Sequence, residues 1–401
     1  MKLARWAPSS LGDHCEIFSG YPFKSNGFTT EPEDIPLVKG ENLGQGEVLW
    51  DIAKRWPKND FEDFARFRLI PGNVVLAMDR PWVPAGLKFA KIPEMAPVSL
   101  LVQRVARLRA RNGLEQGFLP RLIGSPDFVA YVQSVGRGVG VPHISGKEIG
   151  AFQFEMPPKI AQRQIGTVLS AYDALVENNR RRMALLEESA RLLYREWFVR
   201  LRFPGYEHTP IVDGVPQGWD RKVLGDLCGE VRDMVLPDAL EPDTPYIGLE
   251  HMPRRSISLN EWGLAEQVTS SKSRFKAGEI SFGKIRPYFH KVGVAFVDGV
   301  ASSDAIVVRP SENVLHGLVL MTMSSDEFIA TTAQQMKEGS KMPRADWKQM
   351  KACPVPLPPV GLLSNFDGVI QLIVAQLKAL SFANQKLRRR PRPLAATPHV
   401  G

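Results

Sequence analysis

The stretch NNRRRMALLEESARLLYREWFVRLRFPGYE, residues 178–207, lies near the middle of the 401-residue chain. Around it, apolar side chains recur three and four residues apart, the period of one face of an α-helix. They are Ile165, Val168, Tyr172, Leu175, Met183, Leu186, Ala190, Leu193 and Trp197, with Asn179 in the same series. The pattern predicts one helix over residues 160–200. At ~1.5 Å per residue the helix is about 60 Å long. One compact domain is too small to cover this length, so the apolar stripe of the helix requires a partner helix.

A second amphipathic pattern, following Pro358 and Pro359, supplies that partner. It runs through Phe366, Val369, Ile373, Leu377, Leu380, Asn384 and Leu387. It predicts a helix of about seven turns that ends in an arginine run. Each stripe contains one asparagine, which in a buried coiled-coil seam fixes the register of the helices; a place on the rim is the alternative for either residue. We predict an antiparallel pair.

The sequences ahead of the two helices repeat each other. Trp6 and Trp219 each open the pattern W-x-x-x-x-L-G-D-x-C. Further matches follow in the same order: PLV at 36–38 with PYI at 245–247, PGNVVLAMDRPW at 71–82 with AGEISFGKIRPY at 277–288, and FEMPP at 154–158 with VPLPP at 355–359. The separation between matched residues shrinks gradually, as it does when loops vary and strands are kept. We infer a tandem duplication.

The predicted fold class is α+β, with two copies of one domain joined by long helices that form an antiparallel coiled-coil-like pair. Predicted boundaries are 1–159 for the first domain, 160–201 for the central helix, 202–357 for a linker and the second domain, 358–390 for the distal helix, and 391–401 for a basic, proline-rich tail.

Composition narrows the class of function. A net charge of +8 and a pI near 9.3 favour polyanionic partners, although a dispersed surface charge is the alternative. Apolar runs such as GLVLMTM at 317–323 are far shorter than the ~20 residues of a membrane helix, and the first residues lack a signal-peptide core, so we expect a cytoplasmic protein with no membrane contact. The three cysteines, Cys15, Cys228 and Cys353, stand far apart, and we expect reduced thiols.

Motifs of catalysis and metal binding are missing from the sequence. GVPHISGKE at 140–148 resembles a phosphate loop but has the wrong glycine spacing, and neither H-E-x-x-H nor the NPPY or DPPY clamp of adenine methyltransferases occurs. We therefore expect no catalytic residue, no metal site and no cofactor bound by this chain. An enzyme with its own methyltransferase or nuclease activity and a scaffold without sequence preference are the alternatives.

Several segments resemble one family in the same order along the chain. They are LGDHCEIFSGYPFKS at 11–25, the central segment at 178–207, VPQGWDRKVLGDL at 215–227, and PLPP at 356–359. Over nearly its whole length the chain resembles the specificity (S) subunits of type I restriction-modification systems. The resemblance implies a non-catalytic subunit that binds double-stranded DNA, in which two target-recognition domains each read one half of a split sequence while the helices act as spacer and docking surface.

The same resemblance implies the partners. Methyltransferase (M) subunits would dock on the helices and use S-adenosylmethionine, and restriction (R) subunits, where present, would use ATP and magnesium. Beyond Leu387 the sequence departs from the family, because RRRPRP at 388–393 is basic and breaks a helix. This leaves open an impaired subunit or scaffold, or a tail that contacts phosphate.

Loops at strand ends that bear Arg, Lys or aromatic side chains supply contacts to phosphates and base edges. In the first domain we nominate Lys24, Lys39, Arg80, Trp82, Arg104, Arg137 and His143. In the second we nominate Lys272, Arg274, Lys284, Arg286, Tyr288, Lys341 and Arg344. The Arg-Pro-aromatic motif at Arg80 and Arg286 stands out because both copies have it, with packing beneath the loop as its alternative role. For partner binding we nominate Arg180, Arg181, Arg182, Leu186, Leu193 and Trp197.

Overall fold

A computed structural model describes residues 6–83, 86–135, 142–334 and 343–389. The described chain forms two units, which divide between Ala174 and Leu175. We call them unit 1 and unit 2. The predicted tail at 391–401 lies outside the described residues.

Unit 1 is mainly β-structure with short helices. Its strands are β1 (Ala7–Ser10), β2 (Cys15–Ser19), β3 (Ile35–Val38), β4 (Gln45–Gly46), β5 (Arg55–Trp56), β6 (Arg68–Leu69), β7 (Val74–Ala77), β8 (Trp82–Val83), β9 (Gly86–Leu87), β10 (Phe89–Lys91), β11 (Ser99–Leu101), β12 (Val105–Ala110) and β13 (Gln153–Met156). Its short helices are α1 (Leu11–His14), α2 (Leu119–Ile123), α3 (Pro126–Val135) and α4 (Gly146–Ala151). The long helix α5 (Lys159–Tyr194) starts in unit 1 and continues into unit 2.

Unit 2 has the same mixture of elements. Its strands are β14 (Ile211–Val212), β15 (Val215–Pro216), β16 (Asp220–Val223), β17 (Cys228–Val231), β18 (Met234–Val235), β19 (Pro245–Ile247), β20 (Ser258–Leu259), β21 (Gly263–Leu264), β22 (Lys272–Phe275), β23 (Ile280–Gly283), β24 (Val292–Ala295), β25 (Gly299–Ala301), β26 (Ala305–Pro310) and β27 (Pro354–Leu357). Its helices are α6 (Leu224–Leu227), α7 (His316–Met323), α8 (Asp326–Gln334), α9 (Trp347–Met350) and α10 (Val360–Arg389).

The two units use one sheet order. One five-stranded sheet has the order β2-β12-β7-β10-β4 in unit 1 and β17-β26-β23-β24-β20 in unit 2. In both, the last pair of strands is parallel and the other pairs are antiparallel. A second sheet is built around a parallel pair, β3 with β11 and β19 with β25, and unit 2 adds β18 at its edge. The strand orders therefore follow the repeat in the sequence.

The repeated L-G-D motif has a structural cause in each unit. Leu11 and Leu224 are fully buried at the start of α1 and α6. The glycine that follows allows close packing, because a Cβ on Gly12 would lie 3.2 Å from the Gly150 carbonyl oxygen. The next residue, Asp226 in unit 2, accepts a hydrogen bond from the Val223 N–H at 3.0 Å. The motif thus turns the chain from one strand into the next.

The central strand β7 is packed on both faces and leads directly into the loop that carries Arg80. Its side chains alternate between two cores, with Val74 and Leu76 in one and Val75 and Ala77 in the other. All four residues are buried, so the strand is held on both faces. The segment that leaves its end at Met78 is therefore anchored at its origin.

The core of unit 2 includes both long helices. Met183, Ala190 and Phe198 come from α5 and the π-helical turn that follows it, and Phe366 and Ile370 come from α10. The helix predicted over 160–200 is thus present as α5 and its π-helical turn at Arg195–Val199. Helix α10 begins two residues later than the predicted distal segment, at Val360.

Helix α10 also corrects one expectation about apolar segments. Among the described residues, one helical segment, Val360–Leu387, is long enough and apolar enough to cross a membrane by length and composition alone. Its mean hydropathy is 1.4. The expectation from uninterrupted apolar runs missed this helix, because polar residues such as Asp367 and Gln371 interrupt its apolar residues. Phe366 and Leu377 are fully buried within the core of unit 2. One face of α10 therefore belongs to the core of unit 2.

Candidate nucleic-acid interface

In unit 1, the segment after β7 lies between two others and pairs with both through the backbone. The Met78 N–H donates to the Arg104 carbonyl at 2.8 Å, and the Met78 carbonyl accepts from the Ile144 N–H at 2.8 Å. The Arg80 N–H donates to the Pro142 carbonyl at 2.7 Å. These three bonds fix the position of the Arg-Pro-aromatic loop.

Two nominated residues, Arg104 and His143, meet here around Asp79, which the sequence did not single out. His143 Nδ1 lies 2.6 Å from one Asp79 carboxylate oxygen, and Arg104 donates to the other. Burial acts to raise the pKa of Asp79, but the hydrogen bonds from Arg104 and His143 outweigh it and hold that pKa below its usual value. Asp79 therefore stays ionised and orients two exposed basic side chains.

Unit 2 repeats the backbone arrangement bond for bond. The Lys284 N–H donates to the Asp304 carbonyl at 2.7 Å, and the Lys284 carbonyl accepts from the Ala345 N–H at 2.9 Å. The Arg286 N–H donates to the Pro343 carbonyl at 3.0 Å. The loop that carries Arg286 is therefore held in the same way as the loop that carries Arg80.

The side chains on this shared backbone differ between the units. Three pairs of equivalent positions carry different residues: Asp79 and Ile285, Arg104 and Asp304, and His143 and Arg344. In unit 2 the acid moves to the neighbouring segment, where the Asp304 carboxylate pairs with Arg344 at 3.2 Å. Each unit thus presents its own pattern of donors and acceptors on one scaffold.

The two arginines of the motif share an unusual backbone conformation. Arg80 has φ of 45° and Arg286 has φ of 49°, in the left-handed region. For a residue with a side chain this conformation costs about 1 to 2 kcal/mol. Both side chains are exposed, so no side-chain burial offsets the cost. Strain of this kind kept at equivalent positions is typical of functional loops.

A lysine beside each loop escaped the sequence prediction. The Lys88 ammonium donates to the Gly40 carbonyl in unit 1, and the Lys291 ammonium donates to the Leu249 carbonyl in unit 2. Burial, and then the charge of Arg80, lowers the pKa of Lys88. Burial lowers the pKa of Lys291 in the same way, followed by the charge of a neighbouring arginine. The two lysines occupy equivalent places in the structure, because the Ala77 N–H donates to the Lys88 carbonyl and the Gly283 N–H donates to the Lys291 carbonyl. Their spacing from the Arg-Pro motif differs between the two halves, so the sequence repeat did not identify them.

The remaining nominations lie in varied settings. Exposed residues are Lys24, Trp82, Arg274 and Tyr288, and Lys284 donates to the Ser303 carbonyl at 3.0 Å. Lys39 pairs with Glu41 at 2.9 Å and lies over the Phe28 ring. Arg137 and Lys341 lie outside the described residues.

Lys272 does not fit a role in DNA contact. It is buried, and its ammonium donates to the Ser270 carbonyl at 2.9 Å and to the Ser270 hydroxyl at 2.7 Å. The nomination took it as a surface residue at the start of a strand, whereas β22 turns that side chain inward. We correct the nomination and treat Lys272 as a structural residue.

Comparison with known proteins shows which proteins this chain resembles. Residues 4–188 match the model of the type I restriction modification DNA specificity domain. The relatives that match this chain are specificity subunits of type I restriction enzymes as well. The chain is similar to type I specificity subunits over most of its length.

Two relatives illustrate the extent of the match to this family. The specificity subunit of the type I restriction enzyme EcoAI from Escherichia coli is 31% identical over 173 residues, which are 43% of this chain and 28% of that subunit. The MjaIX specificity subunit from Methanocaldococcus jannaschii is 25% identical over 365 residues, 84% of this chain and 79% of that one. The chain thus spans under a third of one relative and most of the other.

A solved structure gives the fold of the family. The S subunit of a type I system from M. genitalium matches with a TM-score of 0.56 at 12% identity, over 97% of this chain and 94% of that chain. At this identity the likeness concerns the fold alone. It agrees with a mixed α+β architecture.

Within unit 2, α5 and α10 run in opposite directions. The Asn179 amide donates to the Asn384 amide oxygen at 2.9 Å, and both residues are buried. At the other end of the contact, the Phe198 ring lies 4.8 Å from the Phe366 ring, centroid to centroid. Both asparagines therefore lie in the helix contact and not on its rim.

The apolar residues nominated for partner binding pack within the chain itself. Leu186, Leu193 and Trp197 are partly buried against the core of unit 2, with Trp197 on Phe366. Their period in the sequence identified the core face of α5, so we correct their assignment to a partner surface. Of the three arginines, Arg181 and Arg182 are exposed, and Arg180 is half-buried.

A different stripe of α5 is exposed. Leu185 is 68% exposed, Leu192 is 44% exposed, and Val199, in the π-helical turn, is 46% exposed. Residues seven apart lie on one side of a helix, and this side is opposite the buried Met183 and Ala190. This surface, which we call the α5 outer stripe, is apolar and unpartnered within unit 2.

The structure also shows the surroundings of the possible metal ligands and of the three cysteines. The described residues contain no group of three His, Cys, Asp or Glu side chains placed to hold a metal ion. Cys15 and Cys228 are free and buried, and burial raises the pKa of each thiol to about 12. Cys353 is free and half-buried, and burial raises its pKa as well.

Proposed function

We propose that this chain is the sequence-reading subunit of a type I restriction-modification complex. Unit 1 and unit 2 act as two target-recognition domains, duplicated in tandem, and each reads one half of a bipartite site in double-stranded DNA. The observation that carries the proposal is the shared backbone scaffold with different charged side chains. A common scaffold gives both units one way of approaching DNA, and the side chains make their target sequences different.

The chemistry of the loops suits base recognition. Arginine binds guanine with two parallel hydrogen bonds, and its specificity depends on a fixed approach to the major groove. Arg80 and Arg286 are exposed, and each is fixed by its N–H bond to a proline carbonyl. Arg104, His143 and Arg344 are exposed beside them and oriented by carboxylates. Surplus positive charge on the chain favours the phosphate backbone.

We assign α5 and α10 to two further roles. As an antiparallel coiled-coil-like pair they set the spacing between the half-sites, and the α5 outer stripe docks methyltransferase subunits, with Arg181 and Arg182 beside it. The stripe is apolar and exposed, which fits a partner surface better than contact with water.

The chain itself performs no chemistry in this proposal. S-adenosylmethionine, ATP and magnesium belong to the methyltransferase and restriction subunits, and DNA, in the cytoplasm, is the shared substrate. The sequence motifs of a methyltransferase are missing from this chain, which supports the assignment of catalysis to partners.

Selection from a random DNA library tests the proposal. The chain is co-purified with its methyltransferase subunit, and bound DNA is recovered at about 150 mM salt, where non-specific binding is weakened. We expect two enriched blocks of bases separated by a fixed gap of unselected positions. Enrichment of one block would contradict a role for both units, and no enrichment would favour a scaffold without sequence preference.

A further inference from the structure

Glu187 on α5 is a buried carboxylate with specific partners in unit 2. It accepts hydrogen bonds from the Ser256 hydroxyl at 2.6 Å and from the Ser258 hydroxyl at 2.7 Å. Ser258 is fully buried, and Arg191, one turn along the helix, lies 3.4 Å from the same carboxylate. Its neighbour Glu188 is half exposed and reaches only Arg191. Of the two adjacent glutamates, Glu187 is the one that joins the helix to the recognition unit.

Ser258 lies in the edge strand of the sheet that carries the Arg286 loop, and Ser256 lies two residues before it. Ser258 begins β20, which pairs in parallel with β24, and β24 pairs with β23. Strand β23 ends at Gly283, and the loop to Arg286 follows directly. The carboxylate of Glu187 therefore holds the edge of the same sheet from which the loop emerges.

A second connection reaches the far end of that loop. Arg191 donates to the carbonyl of Arg255, and the Arg255 N–H donates to the His290 carbonyl at 2.9 Å. The Arg255 guanidinium pairs with Asp326 at 3.0 Å, and His290 Nε2 lies 2.8 Å from the Ser324 carbonyl oxygen. The loop between Arg286 and His290 is thus tied to α5 at one end through the sheet and at the other through Arg255.

Buried carboxylates specify geometry. A buried charge is tolerated only where hydrogen-bond donors surround it, so a movement of the donors away from it destabilises the folded state. The arrangement around Glu187 accordingly favours one orientation of the sheet on the helix. Base reading by arginine tolerates errors of about 0.5 Å and 10 to 20° at most. An orientation fixed by the helix is therefore a condition for discrimination by the loop.

We infer that Glu187 is a positioning residue for recognition of the second half-site: from the central helix, it fixes the angle at which unit 2 presents Arg286 to the bases. The inference rests on the proposed function and adds a residue that contacts no DNA. It predicts that a change at Glu187 on the helix alters base discrimination by the Arg286 loop.

The test uses the complex of the full chain with its methyltransferase subunit. Glu187→Gln keeps the size of the side chain but removes the charge, and Glu188→Gln is the matched control. Binding is measured by competition with DNA altered at one half-site at a time, and Arg286→Ala identifies the half-site that unit 2 reads. For Glu187→Gln we expect discrimination at that half-site to fall about tenfold, with less than twofold change at the other half-site and for the control.

A second variant distinguishes a loss of positioning from a general loss of folding. Ser256→Ala with Ser258→Ala removes the donors and leaves Glu187 in place, and it is expected to give the same one-sided loss, with the thermal unfolding midpoint recorded for each variant. Equal loss at both half-sites, or unchanged discrimination in Glu187→Gln, would overturn the inference. A wild-type complex with no preference at either half-site would instead overturn the proposed function.

Discussion

The Asn179 amide donates to the Asn384 amide oxygen at 2.9 Å in the buried contact between α5 and α10. These two residues are separated by most of unit 2 in the sequence, and the antiparallel packing of the two helices brings them together. Polar residues in such contacts define register at a cost in stability.

This pair predicts a non-additive effect of mutation. Asn179→Ala leaves the Asn384 amide buried without its partner, so the free energy of unfolding should fall by about 1 to 3 kcal/mol. Replacing both asparagines by leucine should be close to neutral or stabilising, because neither polar group is then left unpaired. Urea unfolding of the full chain measures both, with Asn178→Ala as an exposed control. Equal losses for the single and double variants would contradict the pairing.

The two Arg-Pro loops predict separable effects on the DNA target. Arg80→Ala and Arg286→Ala should each cost about 1 to 3 kcal/mol at one base position, in different half-sites. Competition binding with single-base variants of the target measures the loss. Arg232→Ala, an exposed arginine paired with Glu230 in unit 2, serves as the control. A uniform loss on every DNA sequence would show that the arginines contact phosphates instead.

The sequence predicted much of this fold because its signals were periodic or repeated. The period of apolar residues placed α5 within a few residues of its observed start at Lys159, and the repeat placed Arg80 and Arg286 at equivalent loops. These signals depend on local spacing, which a single sequence contains.

Contacts between distant segments escaped prediction for a physical reason. Asp79 pairs with His143 and Arg104 across three segments of unit 1, and no local pattern identifies such a set. The period of α5 placed Leu186 and Leu193 on its packed face, but no pattern marked their apolar neighbours Leu185 and Leu192 as a separate exposed stripe. That stripe becomes visible only once the packing of unit 2 shows what α5 leaves uncovered.

The neighbouring leucines give a matched pair of variants. Leu193→Glu places a charge against the core, so the thermal unfolding midpoint should fall by about 4 °C or more. Leu192→Glu changes the α5 outer stripe, and its midpoint should stay within about 1 °C while co-purification with the methyltransferase subunit is lost. Retention of the partner by Leu192→Glu in a folded chain would contradict docking on this stripe.

Burial of the thiols predicts their order of reaction. The thiolate is the reactive form, and burial raises the pKa of Cys15 and Cys228 to about 12, so both remain protonated at pH 8. The half-buried Cys353 should be alkylated first by iodoacetamide, and all three rates should rise with pH. Peptide mass spectrometry of the folded chain gives the order. Labelling of either buried cysteine as fast as Cys353 would contradict the packing around it.

The most direct measurement of the central claim is a genome-wide map of methyladenine. The chain is expressed with its methyltransferase subunit in a host without adenine methylation, and the modified positions are read by sequencing. Two recognition units predict one motif made of two specified blocks with a constant gap, and Arg286→Ala should relax one block only. Methylation at a single continuous motif, or methylation without sequence preference in a complex that co-purifies, would contradict the account.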